Sequence, residues 1–315
     1  MKACVLQSAS ASKICDVPIP EISEEEVLIR VALCGVCMSE LHDWESGIHA
    51  GKQIFGHEPV GFIEAVGARV IGFQPGDRVT GLIGRAFAEY TKANYRRIIK
   101  VPDHLENMEA LGEPLSCLMS AAKRTPVQLG DNVAIVGLGF MGLGFLQLMR
   151  SKGAGTIIAV DPRLESLELA MRFGADVTTT PGEVPEQYIV VERHHHDRGV
   201  AVTAEVSGTQ AGLKLAAELT AIHGHMSIVG YHQGEAREVD MELWNWKGLS
   251  VLNAHERREA VHMQCMQAGL NMIANKRFNM RDLVTHEFSL DEVDQAYAAM
   301  KRKPEGFVKA VIRLD

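Results

Sequence analysis

The sequence has no apolar run of roughly eighteen residues, the length a membrane-spanning helix requires, so no span is expected. Its first residues, Met1 to Ala11, carry one lysine and a short apolar stretch, Ala3 to Leu6, without the long apolar core of a secretory signal. Cysteine is sparse. The six (Cys4, Cys15, Cys34, Cys37, Cys117 and Cys265) are scattered along 315 residues. That scatter argues against a disulfide framework and for a reducing cytoplasm with free or metal-bound thiols. Positive charge is also short, with 32 Lys and Arg against 40 Asp and Glu, a formal net charge of −8. An acidic chain repels nucleic-acid phosphates and anionic membrane surfaces, so neither is an expected partner. Internal repeats and low-complexity tracts are missing as well, apart from His194-His195-His196.

What remains is an ordinary globular composition, 46 % hydrophobic and 23 % charged, in a chain long enough for about two domains. Up to about Pro102 the chain reads as short strands and turns. Val27 to Val31 is a strand run, and glycines punctuate the stretch from Gly35 to Gly84. Gln74-Pro75-Gly76-Asp77 is a turn, because proline presets φ and glycine permits a positive one. From Glu113 the texture changes. Helices are predicted at Glu113 to Arg124, Gly142 to Ser151, Arg163 to Phe173 and Gln210 to Thr220. Strands are predicted at Val133 to Val136, Thr156 to Val160, Ile189 to Val191, Ala201 to Val206 and Met226 to Gly230. Strands alternating with helices imply a doubly wound parallel sheet, an α/β domain inserted into a β-rich one. The predicted division is 1–120 with 256–315 for the β-rich domain and 121–255 for the α/β domain. Toward the end, Met263, Met266 and Met272 fit a helical core stripe, Leu290 to Met300 is amphipathic, and Val308 to Ile312 is a closing strand.

Gly137-Leu138-Gly139-Phe140-Met141-Gly142 directly follows an apolar strand and opens a helix, the context that makes a G-x-G-x-x-G a dinucleotide loop. The first glycine makes the turn, the second admits the pyrophosphate, and the third lets helix pack on strand, with free N–H groups at the helix start facing the phosphates. Asp161 ends the next strand, where a carboxylate accepts from ribose hydroxyls and repels a 2′-phosphate, favouring NAD over NADP. Arg163 beside it could instead contact a phosphate. Ser207, after the strand Ala201 to Val206, completes the set expected to face the cofactor.

A second constellation lies in the β-rich half. Cys37, His57 and Glu58 supply a thiolate, an imidazole and a carboxylate, the three ligand types of zinc, and Glu113 opens a helix that would carry a further carboxylate to a cleft between the domains. Cys34-Gly35-Val36-Cys37 has no second C-x-x-C partner, so a closed four-thiolate site is excluded, and Cys34 reads as a small buried hydrophobe. Residue types alone leave open a redox dithiol, or His57 and Glu58 merely satisfying a turn.

Gly56-His57-Glu58-Pro59-Val60-Gly61, followed by Gly67 and Val70, resembles the zinc signature of the medium-chain alcohol dehydrogenases. Gly35-Val36-Cys37-Met38-Ser39 with His42 resembles that family's first zinc ligand and proton relay. Pro75 to Val79, Glu113-Pro114-Leu115-Ser116, the glycine loop and Phe307 to Ile312 follow in family order, over essentially the whole chain. Leu41 to Glu45 and Glu113 to Ser116 look like the polyol (sorbitol-like) and threonine dehydrogenase branch. The resemblance implies a GroES-like β-rich catalytic domain beside a Rossmann domain. It implies that Cys37, His57 and Glu58 bind one catalytic zinc, and that Glu113 binds it or holds its water. It implies that the zinc acts as a Lewis acid on the oxygen of a secondary alcohol or polyol while NAD takes the hydride, and that Ser39 and His42 relay the proton. It implies a homodimer or homotetramer, pairing through a strand near Gly248 to Asn253.

The chain departs from the branch in two places. Between Val79 and Tyr90 there is no four-cysteine lobe for a structural zinc, so one zinc per chain is expected, and Glu40 stands where aspartate is usual. Two rivals remain at this level: a metal-free quinone or enoyl reductase of the same superfamily, and a non-catalytic dinucleotide-binding protein. Trp44 reads either as a wall of the substrate cleft or as a core aromatic, and His194 to Asp197 either as a metal-binding tract or, in preference, as a solvated loop.

Overall fold

The computed structural model describes residues 1–314, and the chain folds into two compact units. One comprises residues 1–117 and 257–315, the other 118–256.

The first unit is built on a seven-stranded sheet. Its central strand, Glu26–Gly35, is antiparallel to Glu58–Val66 on one side and to Ala310–Arg313 on the other. Residue for residue, Gly35 faces both Glu58 and Val311. Three chain segments far apart in sequence therefore end at one edge: Cys37 just past the central strand, Glu58 at the start of its neighbour, and Lys309 just before the last strand. Val31, Cys34, Trp44, Phe55, Phe87 and Tyr297 pack in one apolar cluster of this unit. Trp44 is buried there. It stacks on Tyr297 with centroids 5.2 Å apart, and its indole N–H donates to Asp294 Oδ1 at 2.7 Å. Trp44 is thus a core aromatic, not a cleft wall. The turn at Gln74 closes as expected, with Asp77 N–H donating to the Gln74 carbonyl at 3.1 Å.

The second unit is a six-stranded, wholly parallel sheet. The spatial order is Val177–Thr179, Ile157–Val160, Val133–Val136, Val200–Glu205, Thr220–Ile228 and Ser250–Asn253. In chain order that is three-two-one-four-five-six, the doubly wound arrangement whose carboxyl edge binds ligands where the order reverses. The inner strands Val133–Val136 and Ile157–Val160 are buried throughout, as strands covered on both faces must be. Helices Phe140–Ser151, Leu164–Arg172 and Gln210–Leu219 alternate with the strands.

Ile189 to Val191 is not a strand. Val190 is buried, but its N–H donates to the Glu218 carbonyl at 2.8 Å and its carbonyl accepts from Lys247 Nζ at 3.1 Å, so no ladder is open to it. The edge strand is instead Val177–Thr179. No helix among the described residues is long and apolar enough to cross a membrane.

Candidate active site

At the edge where three strands of the first unit end, one ligand atom each of Cys37, His57 and Glu58 lie within 4.8 Å of one another. The local sequence explains the closeness. Gly35 stands opposite Glu58, and a Cβ there would sit 1.9 Å from Glu58 Oε2, so only glycine leaves the carboxylate its place. Lys309 Nζ lies 2.7 Å from Glu58 Oε1 and 2.6 Å from Oε2, with both side chains almost fully buried. Only the Oε1 contact has hydrogen-bond geometry, which leaves Oε2 a buried acceptor without a hydrogen-bonded donor.

His57 is oriented from behind. Its Nδ1 is 2.8 Å from Glu40 Oε1, and Glu40 also accepts from Gly56 N–H at 3.0 Å and from the Tyr297 hydroxyl at 2.8 Å. A carboxylate accepts only, so the ring keeps a proton on Nδ1, and Nε2 becomes the ligand nitrogen when a metal displaces its proton. Burial opposes charge on His57, but hydrogen bonds to Cys37 and Glu40 outweigh it and push the ring up to about 12. Ser39 Oγ donates to Cys37 Sγ at 3.3 Å. Without a metal, the positive charges of His57 and Lys309 balance Cys37 and Glu58, and a bound cation would take the place of the His57 proton. A thiol, an imidazole and a carboxylate with one unsatisfied oxygen are the donor set of a tetrahedral zinc that keeps a position open, so these residues fit zinc.

Glu113 is not gathered into that triad. It opens the helix Gly112–Arg124 and accepts from Cys117 Sγ at 3.4 Å. Burial, and after it the charge of Glu58, raise its carboxyl above the ordinary range, so it senses the cluster without joining it. His42 is exposed on the short helix Leu41–Ser46 and is not hydrogen-bonded to Ser39.

In the second unit the glycine loop meets its expected context. Gly142 lies so close to the strand end that a Cβ would fall 1.9 Å from the Gly137 carbonyl oxygen, whereas around Gly139 nothing lies within 4 Å of where a Cβ would be. Close packing at one glycine and open approach at the other are what a pyrophosphate needs. Phe140 and Met141 begin the helix, whose cap residue Gly139 has no side chain to occupy the free N–H groups. Asp161 is buried. Its Oδ2 accepts from Leu138 N–H at 2.7 Å, while its Oδ1 accepts from Arg163 N–H at 3.0 Å and from Arg163 Nε at 3.1 Å. Ser207 abuts Gly137, and its hydroxyl donates to the buried Glu205 Oε1 at 2.5 Å. The structure therefore brings Asp161, Arg163 and Ser207 to the loop.

Sequence reasoning did not single out Lys309, Tyr297 or the hydrogen-bonding of Glu40. A lone lysine within the apolar strand run Val308 to Ile312 was the one signal at hand.

Residues 23–103 match the family model of the alcohol dehydrogenase GroES-like domain, and residues 141–275 that of the zinc-binding dehydrogenase. The chain belongs to the zinc-type medium-chain alcohol dehydrogenases. It is 29 % identical to a sorbitol dehydrogenase of Bacillus subtilis (strain 168), over 94 % of this chain and 92 % of that protein. The alcohol dehydrogenase TADH of Thermus sp. ATN1 superposes with a TM-score of 0.86 at 26 % identity, covering 100 % of both chains. A Sinorhizobium meliloti 1021 protein solved bound to NADP gives a TM-score of 0.86 at 25 % identity, covering 99 % of each chain.

Proposed function

We infer that this family member oxidises a secondary alcohol or polyol to a ketone, with Cys37, His57 and Glu58 holding one catalytic zinc. The carrying observation is the convergence of those three ligands in front of a His57 already oriented by Glu40. When bound, zinc polarises the substrate oxygen and the nicotinamide accepts the hydride, the chemistry each supplies in this family.

The chain's own residues do the rest. Glu40 keeps the proton of His57 on Nδ1. Lys309 holds Glu58 by Oε1. Ser39, now hydrogen-bonded to Cys37 Sγ, turns its hydroxyl to take the proton leaving the alcohol while giving up its own, by way of a cofactor ribose hydroxyl, to exposed His42 for release to water. Half-buried Glu113 positions a water beside the cluster rather than ligating directly.

Gly137, Gly139 and Gly142 cradle the pyrophosphate, and Asp161, with Arg163 folded onto it, receives the ribose hydroxyls. NAD is the favoured dinucleotide because the Asp161 carboxylate repels a 2′-phosphate. The sheet of the second unit ends in the exposed strand Ser250–Asn253, whose free edge suits two-fold pairing into a homodimer, alone or within a tetramer. Six cysteines, none of them in a disulfide, fit a cytoplasmic setting.

The test is a screen of secondary alcohols and polyols with NAD and with NADP, read by NADH or NADPH absorbance, on protein of known zinc content. Turnover with NAD that disappears on chelation and returns with zinc is the expected result. Full turnover in zinc-free protein would overturn the reading, and sedimentation as a monomer at micromolar concentration would overturn the dimer.

A further inference from the structure

The second unit gathers another set of metal-ligating side chains, in the loop between the strands Val177–Thr179 and Val200–Glu205. Glu192, His194 and His195 each offer a ligand atom, and these atoms lie within 4.8 Å of one another. A backbone turn makes the approach: His195 N–H donates to the Glu192 carbonyl at 3.0 Å, closing the tetrapeptide on itself. His194 Nδ1 is 3.2 Å from Glu192 Oε2, and the two imidazoles meet edge to face with centroids 4.5 Å apart. His196, the third of the histidine run, is exposed and outside the cluster.

The second observation concerns His195 alone. It is only 9 % exposed, and its Nδ1 is buried without a hydrogen-bond partner. A buried imidazole nitrogen is normally satisfied, so an orphaned one on a ring that packs against His194 and offers an atom to this cluster points to a ligand. The loop's own cations do not supply it. The Arg193 guanidinium faces Glu242 at 3.8 Å and that of Arg198 faces Glu186 at 3.9 Å.

We propose that Glu192, His194 and His195 form a second metal site, taking zinc or a divalent ion of similar preference. Two nitrogens and one carboxylate oxygen are the donors of borderline transition metals, whereas magnesium and calcium prefer oxygen throughout.

Its place in the fold separates it from catalysis. Gly137, Asp161 and Ser207 all follow the carboxyl ends of parallel strands, while this loop feeds the amino end of Val200–Glu205. An ion here touches no cofactor and crosslinks the tip of a loop. Backbone bonds already anchor the loop at its two ends, from Val190 N–H to the Glu218 carbonyl at 2.8 Å and from Gly199 N–H to the Gln187 carbonyl at 2.9 Å. The site stands independently of the Cys37 cluster.

The test is equilibrium dialysis of chelator-stripped full-length protein against micromolar Zn²⁺, with bound metal counted by mass spectrometry. Wild type is expected to bind two ions per chain, H194A one, C37A one, and the double variant none. H194A alters an exposed side chain, so it should keep wild-type turnover, and H196A should keep both ions. Hydrogen exchange supplies the second readout: Zn²⁺ should protect the amides of residues 191–198 in wild type and C37A but not in H194A. Equal zinc counts in wild type and H194A, with no zinc-dependent protection of that loop, would overturn the proposal. A count that falls with H194A but not with C37A would support this site and sink the reading of the other.

Discussion

The two units meet their chemistry in opposite ways. The dinucleotide loop is contiguous: six residues from Gly137 to Gly142, one strand before them and one helix after. The Cys37 cluster is assembled by sheet register, and its deepest ion pair, Glu58 with Lys309, spans 251 positions of chain. A contiguous site depends on local sterics. An assembled site depends on the whole sheet, and it concentrates buried charge that must be balanced from several strands. The two should therefore fail separately, and four measurements probe that separation.

The largest effect is expected at the ligands. Cys37→Ala should lower kcat/KM by about a thousandfold or more, as loss of several kcal/mol of Lewis-acid stabilisation requires, while NADH binding measured by fluorescence stays near wild type. Parallel loss of NADH binding would break the comparison.

Next is Lys309→Met. It leaves the Glu58 carboxylate buried without its partner, at a cost of about 3 kcal/mol in denaturant melts of zinc-free protein. Added zinc should recover much of that loss, because the ion neutralises the same carboxylate. A variant as stable as wild type without zinc would show that Glu58 is balanced by some other group.

Gly142→Ala is the converse of Cys37→Ala. The new methyl must displace the Gly137 carbonyl, a strain of about 1–3 kcal/mol that should appear as weakened NADH binding with zinc content unchanged. Unaltered cofactor affinity would mean the loop does not carry the pyrophosphate.

The smallest effect concerns Lys247, whose ammonium donates to the carbonyls of Val190, Ala217 and Glu218 in the interior of the second unit. Burial disfavours its charge and lowers it from the ordinary lysine value to about 8. The unfolded chain stays protonated to a higher pH, so between pH 8 and about 10.4 it binds more protons than the folded chain. Below pH 8 the penalty is present in full, and stability should rise as pH climbs through that window. Thermal melts of wild type and Lys247→Met across pH 7 to 10 should show the wild-type slope absent from the variant. Identical slopes would assign the titration elsewhere.

The alternating elements of the second unit were legible because buried parallel strands are continuous apolar runs and the helices between them end at glycines such as Gly174. The one misplaced strand, Ile189 to Val191, shows the limit of that signal. Val190 is as apolar and as buried as a strand residue, but Lys247 and Glu218 take its backbone groups. The helices Leu41–Ser46 and Met241–Lys247 are too short for a periodic pattern to declare itself, and the sequence did not reveal them. Met266 is core as its spacing suggests, while Met263 and Met272 are only half-buried.

What the sequence by itself determined is the kind of protein and the identity of its chemical groups: a glycine loop in its strand–helix frame, a cysteine, a histidine and a glutamate in a recurrent order, and an acidic chain without a spanning segment. Those features are local, and local sterics and ligand chemistry suffice to read them. Only the tertiary structure decided which groups meet. Gly35 opposite Glu58, Lys309 against that carboxylate, Trp44 stacked in the core and the convergence of Glu192 with His194 and His195 each depend on strand register or on a turn. The physical reason is that buried charge and unsatisfied polar atoms are balanced through space, by partners whose distance along the chain carries no signal.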